Sequence, residues 1–183
     1  MRHKSVTEQS DVEWSAWLRA MLETEGEDAS TSFGHGYQRI ADRVVQHASV
    51  HEGDLVVDVG TGTGLLAFAA GQAAGSAGRV IGVDSDADCI RRCRGRAEQL
   101  GLGHLEFRHG NVLSLPVDTG CADAVLCRSV LCHIRDKRTP VAQWHRVLKE
   151  GGRFSLYEPV DRHDTRFADL VDFSVLGQTG DRM

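Results

Sequence analysis

Between residues 54 and 160 the chain alternates two apolar patterns: short continuous runs, and longer stretches at helical spacing. "LVVDVG" is a run rich in valine, the mark of a strand buried on both faces. "LLAFAAGQAA" follows as a helix that Gly75 to Gly78 end, then "RVIGVD" (79–84) as a second strand and "DADCIRRCRGRAEQL" as a second helix. "LEFRHG" (105–110) and "ADAVLCR" (122–128) predict a third and a fourth strand, and "TPVAQWHRVLKE" a helix opened by Pro140. "GRFSLYEP" (152–159) predicts a fifth strand. Strands that alternate with helices imply right-handed parallel crossovers and a sheet covered on both faces. The fold class expected is α/β, a doubly wound parallel sheet of about five strands. Ahead of it lies a helical extension. "DVEWSAWLRAML" (11–22) has helical spacing with Asp11 or Ser10 as cap. An acidic connection follows, and then a helix from about Tyr37 to His47. The division expected is an extension or lid over 1–50 and a ligand-binding domain over 51–183.

Open parallel sheets bind ligands outside the carboxyl ends of their strands, near the point where strand order reverses. Polar or glycine residues stand at each such end here: Gly60, Gly62 and Gly64 after the first strand, Asp84 after the second, Asn111 after the third, and Arg128 with Ser129 after the fourth. Glycines there let a ligand approach the amides that open the next helix. The dinucleotide spacing would need glycine at position 65, which is Leu65, and no Gly-Lys-Ser/Thr follows for a P-loop. Asp58 inside the strand end would repel a diphosphate and favour a positively charged ligand. An NAD-dependent oxidoreductase is discounted on these two residues. Asp84 can accept both hydroxyls of a ribose.

Composition narrows the class further. The chain has 183 residues and a formal net charge of -5, enough for one globular core. A pI of about 6.0 argues against a nucleic-acid binder. No apolar run approaches the roughly 20 residues of a membrane span, and the polar N-terminus lacks the apolar middle of a signal peptide. Five cysteines, none as CxxC, suit a reduced cytoplasmic protein. Cys89 and Cys93 are read as small core residues, so no metal is expected. The arginines of "RRCRGR" are read as complementing a helix dipole, not as a nucleic-acid patch.

The ordered stretches "VVDVGTGTG", "VIGVDSD", "HGNVLSLP", "ADAVLCRSVLCHI" and "VLKEGGRFSLYEP" resemble the motifs of class I S-adenosylmethionine-dependent methyltransferases. The small-molecule branch, similar to the ubiquinone and menaquinone biosynthesis enzymes, fits best, over about residues 35–160. The resemblance implies a Rossmann-like methyltransferase fold and S-adenosylmethionine as cofactor. It implies that Gly60, Thr61 and Gly62, with Gly64 completing the turn, cradle the methionine and ribose parts. Asp58 lies near the amino group, Asp84 with Ser85 beside it takes the ribose, Asn111 and Val112 flank the adenine, and Arg128 lines the floor. Asn111 departs from the family's usual Asp. Tyr37 in "FGHGYQR" is read either as part of a lid that reaches the cofactor's carboxylate or as an ordinary Gly-flanked loop. His133 is read as a general base or as a surface histidine.

The activity expected is methyl transfer to a small-molecule acceptor by in-line displacement, which needs alignment more than covalent help. The rivals are an RNA or protein methyltransferase on the same fold and a non-catalytic cofactor-binding module. The family's sheet has seven strands, and only 23 residues follow "YEPV". The fifth strand is therefore expected to need cover along its outer edge, from further residues, the tail or a second copy of the chain.

Overall fold

The protein is described over residues 32–159, in a computed structural model. The helix expected over 11–22 and the tail after Val160 lie outside the described residues. The chain divides into two units, Met1–Ile40 and Ala41–Met183. The first described element is helix α1 (Ser32–His47), whose Ala41, Val44 and Val45 are buried, with Ala48 just beyond it. It starts five residues before Tyr37, so "FGHGYQR" is helical and not a loop. The helical period of "YQRIADRVV" continues backward through Gly36.

Strands β1 (Leu55–Val59), β2 (Arg79–Asp84), β3 (Leu105–His109), β4 (Ala122–Arg128) and β5 (Leu148–Tyr157) form one sheet in the order β3-β2-β1-β4-β5. Every pairing is parallel. Helices α2 (Leu65–Ala74), α3 (Ala87–Gln99) and α4 (Arg138–Val147) and a short 3-10 turn (Leu131–His133) make the crossovers. One sheet face carries Val57, Val59, Ile81, Val83, Val125 and Cys127 against Val141, Trp144 and Val147 of α4. The alternate residues Val56, Val80, Phe107, Ala124 and Leu126 are buried too, as are Leu66 and Ala70 of α2 and Ile90 and Cys93 of α3. A sheet buried on both faces explains why its first strands read as unbroken apolar runs.

Two boundaries differ from those expected. Helix α4 ends at Val147, and β5 begins at Leu148, which pairs with Ala122 before a register shift brings Arg153 opposite Ala124. Gly151 absorbs that irregularity in the left-handed region, at φ 73°. Burial of β5 on both faces is not what the structure shows: Ser155 is its one buried residue, and Phe154 and Tyr157 are exposed. Among the described residues β5 is one edge of the sheet, with β4 alone beside it, and β3 is the other. Among the same residues no helix is long and apolar enough to cross a membrane.

The arginine run on α3 does not form a single patch. Arg91 pairs with Asp88, Arg94 donates to the Phe107 carbonyl at the sheet edge, and Arg96 lies 4.9 Å above the Phe68 ring. Asp86 caps that helix, accepting from the Asp88 and Cys89 amides.

Candidate functional site

Strand order reverses between β1 and β4, and the two loops that leave these strands meet there. After β1 the chain runs through Gly60, Gly62 and Gly64 at φ 69°, 52° and 84°, conformations that side chains resist. At Gly60 there is a second constraint: an added Cβ would stand 2.2 Å from Val130 Cγ2. The Gly60 and Thr61 amides both donate to the Val83 carbonyl of β2, and Gly64 donates back to Thr61. The turn is therefore pinned to its neighbouring strand before α2 begins.

Two carboxylates bracket this turn. Asp58 is 1% exposed, and its Oδ2 accepts from Thr61 Oγ1 at 2.6 Å. Burial pushes its carboxyl up to about 7, against the Thr61 and Ala67 hydrogen bonds and the charge of Arg128. Asp84, at the end of β2, accepts from the Gly62 amide with one oxygen and from the Asp86 amide with the other, each at 2.8 Å. Burial raises Asp84 as well, over the opposing pull of those amides. These hydrogen bonds bring no positive charge, so desolvation prevails at both groups. Each carboxylate oxygen has a further lone pair, so Asp84 keeps acceptor capacity for hydroxyls.

Of the other residues singled out in the sequence, Ser85 and Asn111 follow β2 and β3, Arg128 ends β4, and His133 lies on the 3-10 turn after it. Ser85 is exposed, and its carbonyl meets a His109 ring nitrogen at 3.0 Å. Asn111 is exposed and uses its side-chain oxygen on the Leu113 amide, while half-buried Val112 packs against the core. Arg128 ends β4, half-buried. His133 is exposed on the 3-10 turn, its amide donating to Val130. Tyr37 lies on α1 in the first unit, apart in the chain from the unit that holds the others. Cys89 and Cys93 face the core, and Cys93 Sγ donates to the Gly62 carbonyl at 3.4 Å. Burial pushes the Cys93 thiol up to about 12, so it acts as a neutral donor under the turn. Among the described residues no group of His, Cys, Asp and Glu is placed to hold a metal.

One residue was missed in the sequence. Glu158, just beyond β5, accepts from the amides of Val130, Leu131 and Cys132. The signal was present, because Glu158 is the polar residue after the fifth strand.

A glycine turn bracketed by two desolvated carboxylates suits a ligand with hydroxyls and a positive centre, and it disfavours phosphates. Comparison with known proteins agrees. The profile of a methyltransferase-domain family matches residues 50–174. A demethylmenaquinone methyltransferase of Oceanobacillus iheyensis is 30% identical over 109 residues, 60% of this chain and 46% of its own length. An arsenite methyltransferase of Halobacterium salinarum is 32% identical over 113 residues, 62% of this chain and 29% of its own. Among solved structures, the geranyl diphosphate C-methyltransferase of Streptomyces coelicolor A3(2) superposes with a TM-score of 0.61 at 28% identity, covering 64% of this chain and 44% of that one. The chain thus spans less than half the length of these relatives.

Proposed function

This chain belongs to the methyltransferase-domain family, and on that premise we propose that it transfers a methyl group from S-adenosylmethionine to a small-molecule acceptor. The observation that carries the reading is the pair Asp58 and Asp84, both desolvated, on either side of the Gly60–Gly64 turn. When bound, S-adenosylmethionine supplies a methyl group on a positively charged sulfur. The residues do the rest. Asp84 accepts the ribose hydroxyls while it keeps the Gly62 amide in place. Asp58 complements positive charge from beneath the turn. Val112 offers an apolar wall to the adenine, with Asn111 at its edge, and Arg128 closes the floor. His133, exposed after β4, is the candidate to take a proton from the acceptor. In-line transfer of this kind depends on alignment and exclusion of water more than on covalent help.

The relatives named above, a demethylmenaquinone, an arsenite and a geranyl diphosphate methyltransferase, support a small acceptor. Five free cysteines support a reducing, cytoplasmic setting. Among the described residues β5 has no partner along its outer edge, and Phe154 and Tyr157 are exposed; a second copy would pair there, and sedimentation at low micromolar concentration reads that association. The reading itself is tested by calorimetry with S-adenosylhomocysteine and with NAD. Binding of the first and not the second is expected. Asp84→Ala should weaken it by about 1–3 kcal/mol, since ligand hydroxyls and the Gly62 amide lose a charged acceptor. Equal binding by parent and variant would remove Asp84 from the site.

A further inference from the structure

The loop that leaves β4 is held by a carboxylate from the far end of β5. Glu158 Oε1 accepts from the Val130 amide at 2.7 Å and the Leu131 amide at 3.0 Å, and Oε2 accepts from the Cys132 amide at 3.1 Å. Three consecutive amides converging on one anion form a nest, and charge-assisted bonds of this kind are about twice as strong as neutral ones. The loop requires such an anchor. Ser129 sits at φ 54°, a left-handed conformation that costs a side-chain-bearing residue on the order of 1–3 kcal/mol. That bend turns the next three amides toward β5. The Ser129 amide meanwhile donates to the Tyr157 carbonyl at 2.9 Å, which fixes the loop against the residue just before Glu158.

Val130 connects this anchor to the ligand turn. Its Cγ2 occupies the place a Cβ on Gly60 would take, and its other two side-chain carbons stand 3.4 Å from that place. Val130 therefore lies directly over the first glycine, where strand order reverses. Two flanking thiols register the carboxylate's charge. Burial first and Glu158 second push Cys132 up to about 12, and the same two causes raise Cys127.

We propose that Glu158 is a positioning residue of the cofactor pocket: by holding the Val130–Cys132 amides it sets Val130 against Gly60, and thereby the shape of the glycine turn. The proposal rests on the methyltransferase reading for the identity of the ligand, but not for the coupling itself. With three backbone amides on its two oxygens, Glu158 is built to hold the loop.

The test pairs calorimetry against S-adenosylhomocysteine with amide hydrogen exchange of the ligand-free chain at full length. Glu158→Ala should weaken binding about tenfold, within the range by which residues remote from a ligand shift its affinity. It should also speed exchange at Val130–Cys132 and at Gly60 and Thr61. The Gly53 amide, bonded to Ala74 at the opposite end of the sheet, should be unchanged. Glu158→Gln, which retains one acceptor oxygen, should fall between parent and Ala, and it carries the test if the Ala variant does not fold. Val130→Ala should weaken binding by itself, and adding Glu158→Ala to it should weaken binding little further, because both changes remove one contact. Fully additive losses would overturn the proposal, as would parent-like exchange at Gly60 and Thr61 in Glu158→Ala. A parent chain that does not bind S-adenosylhomocysteine would overturn the methyltransferase reading instead, and exchange at the glycine turn would then decide the role of Glu158.

Discussion

The two ends of the sheet use carboxylates in opposite ways. Where the strands begin, three carboxylates meet cations: Asp54 takes Arg153 Nη2 at 2.6 Å, Asp123 takes Lys149 Nζ at 2.8 and 3.0 Å, and Glu106 stands between Arg79 and Arg108. Where the strands end, Asp58 and Asp84 are bonded to amides and a hydroxyl. The consequences diverge. The Arg108 hydrogen bond, helped by Arg79, holds Glu106 down at about 2, whereas burial lifts Asp58 to about 7. A carboxylate satisfied by its own chain is a fastener. One whose carboxyl burial has raised favours a positive charge from outside, and such perturbed groups mark functional sites.

The sharpest way to break that contrast is to neutralise Asp58. Its folded value of about 7 exceeds the ordinary 3.8, so the folded state holds the proton more tightly than the unfolded one. The stabilising share of that group is complete below about pH 4 and is lost as pH rises through 7. Asp58→Asn removes the titration, and the Thr61 hydroxyl can rotate to accept from the new amide. The variant should match the parent near pH 4 and exceed it by roughly 2–4 kcal/mol at pH 8 in urea unfolding, by the linkage of pKa to stability. It should also bind S-adenosylhomocysteine more weakly. A variant no more stable than the parent at pH 8 would mean that Asp58 already has its counter-ion, and the contrast would fail.

The sequence made one end of the sheet far more legible than the other. The rule that polar residues just past parallel strands face the ligand singled out Asp84, Asn111 and Arg128 as candidates, and apolar runs predicted β2, β4 and α2 with their observed bounds. The same rule, carried to the fifth strand, would have singled out Glu158, but a carboxylate whose partners are backbone amides leaves no pairing pattern in the sequence. The start of β5 was missed because Leu148 pairs ahead of an irregularity that four residues fill, a tertiary effect that no periodicity announces. The fasteners at the strand starts were not read at all. Arg153 reaches Asp54 and the Ser49 carbonyl across about a hundred residues of chain, and only the fold brings them together.

The next largest effect belongs to that opposite end. At Asp123 burial pushes the carboxyl up, yet the Lys149 bond, the Leu55 amide and nearby positive charge outweigh it and leave the group lowered. A lowered folded value contributes stability above the ordinary 3.8, and that contribution is lost as pH falls through the folded value. Asp123→Asn should therefore destabilise by about 1 kcal/mol at pH 7, a figure kept small because the pair is partly exposed. The loss should shrink in acid, which is the reverse of the Asp58 profile. A gain in stability at neutral pH would place Asp123 with Asp58 and dissolve the distinction.

The smallest effect tests whether depth or mere position sets the two ends apart. Glu106 is held down at about 2, but its side chain is 39% exposed and water screens its arginines. Exposed pairs contribute at most about 1 kcal/mol. Glu106→Gln should thus cost less than about 1 kcal/mol in dilute buffer, and next to nothing in 1 M salt, where the screening length falls to about 3 Å. Its binding of S-adenosylhomocysteine should equal the parent's, because Glu106 stands at the beginning of β3 and the proposed pocket lies beyond the strand ends. A loss above about 2 kcal/mol that persists in high salt would show that this carboxylate is buried in effect, and screening could then no longer account for its small contribution. A loss of ligand affinity comparable to that of Asp84→Ala would be more damaging, since it would mean that the charges at the two ends do not act separately.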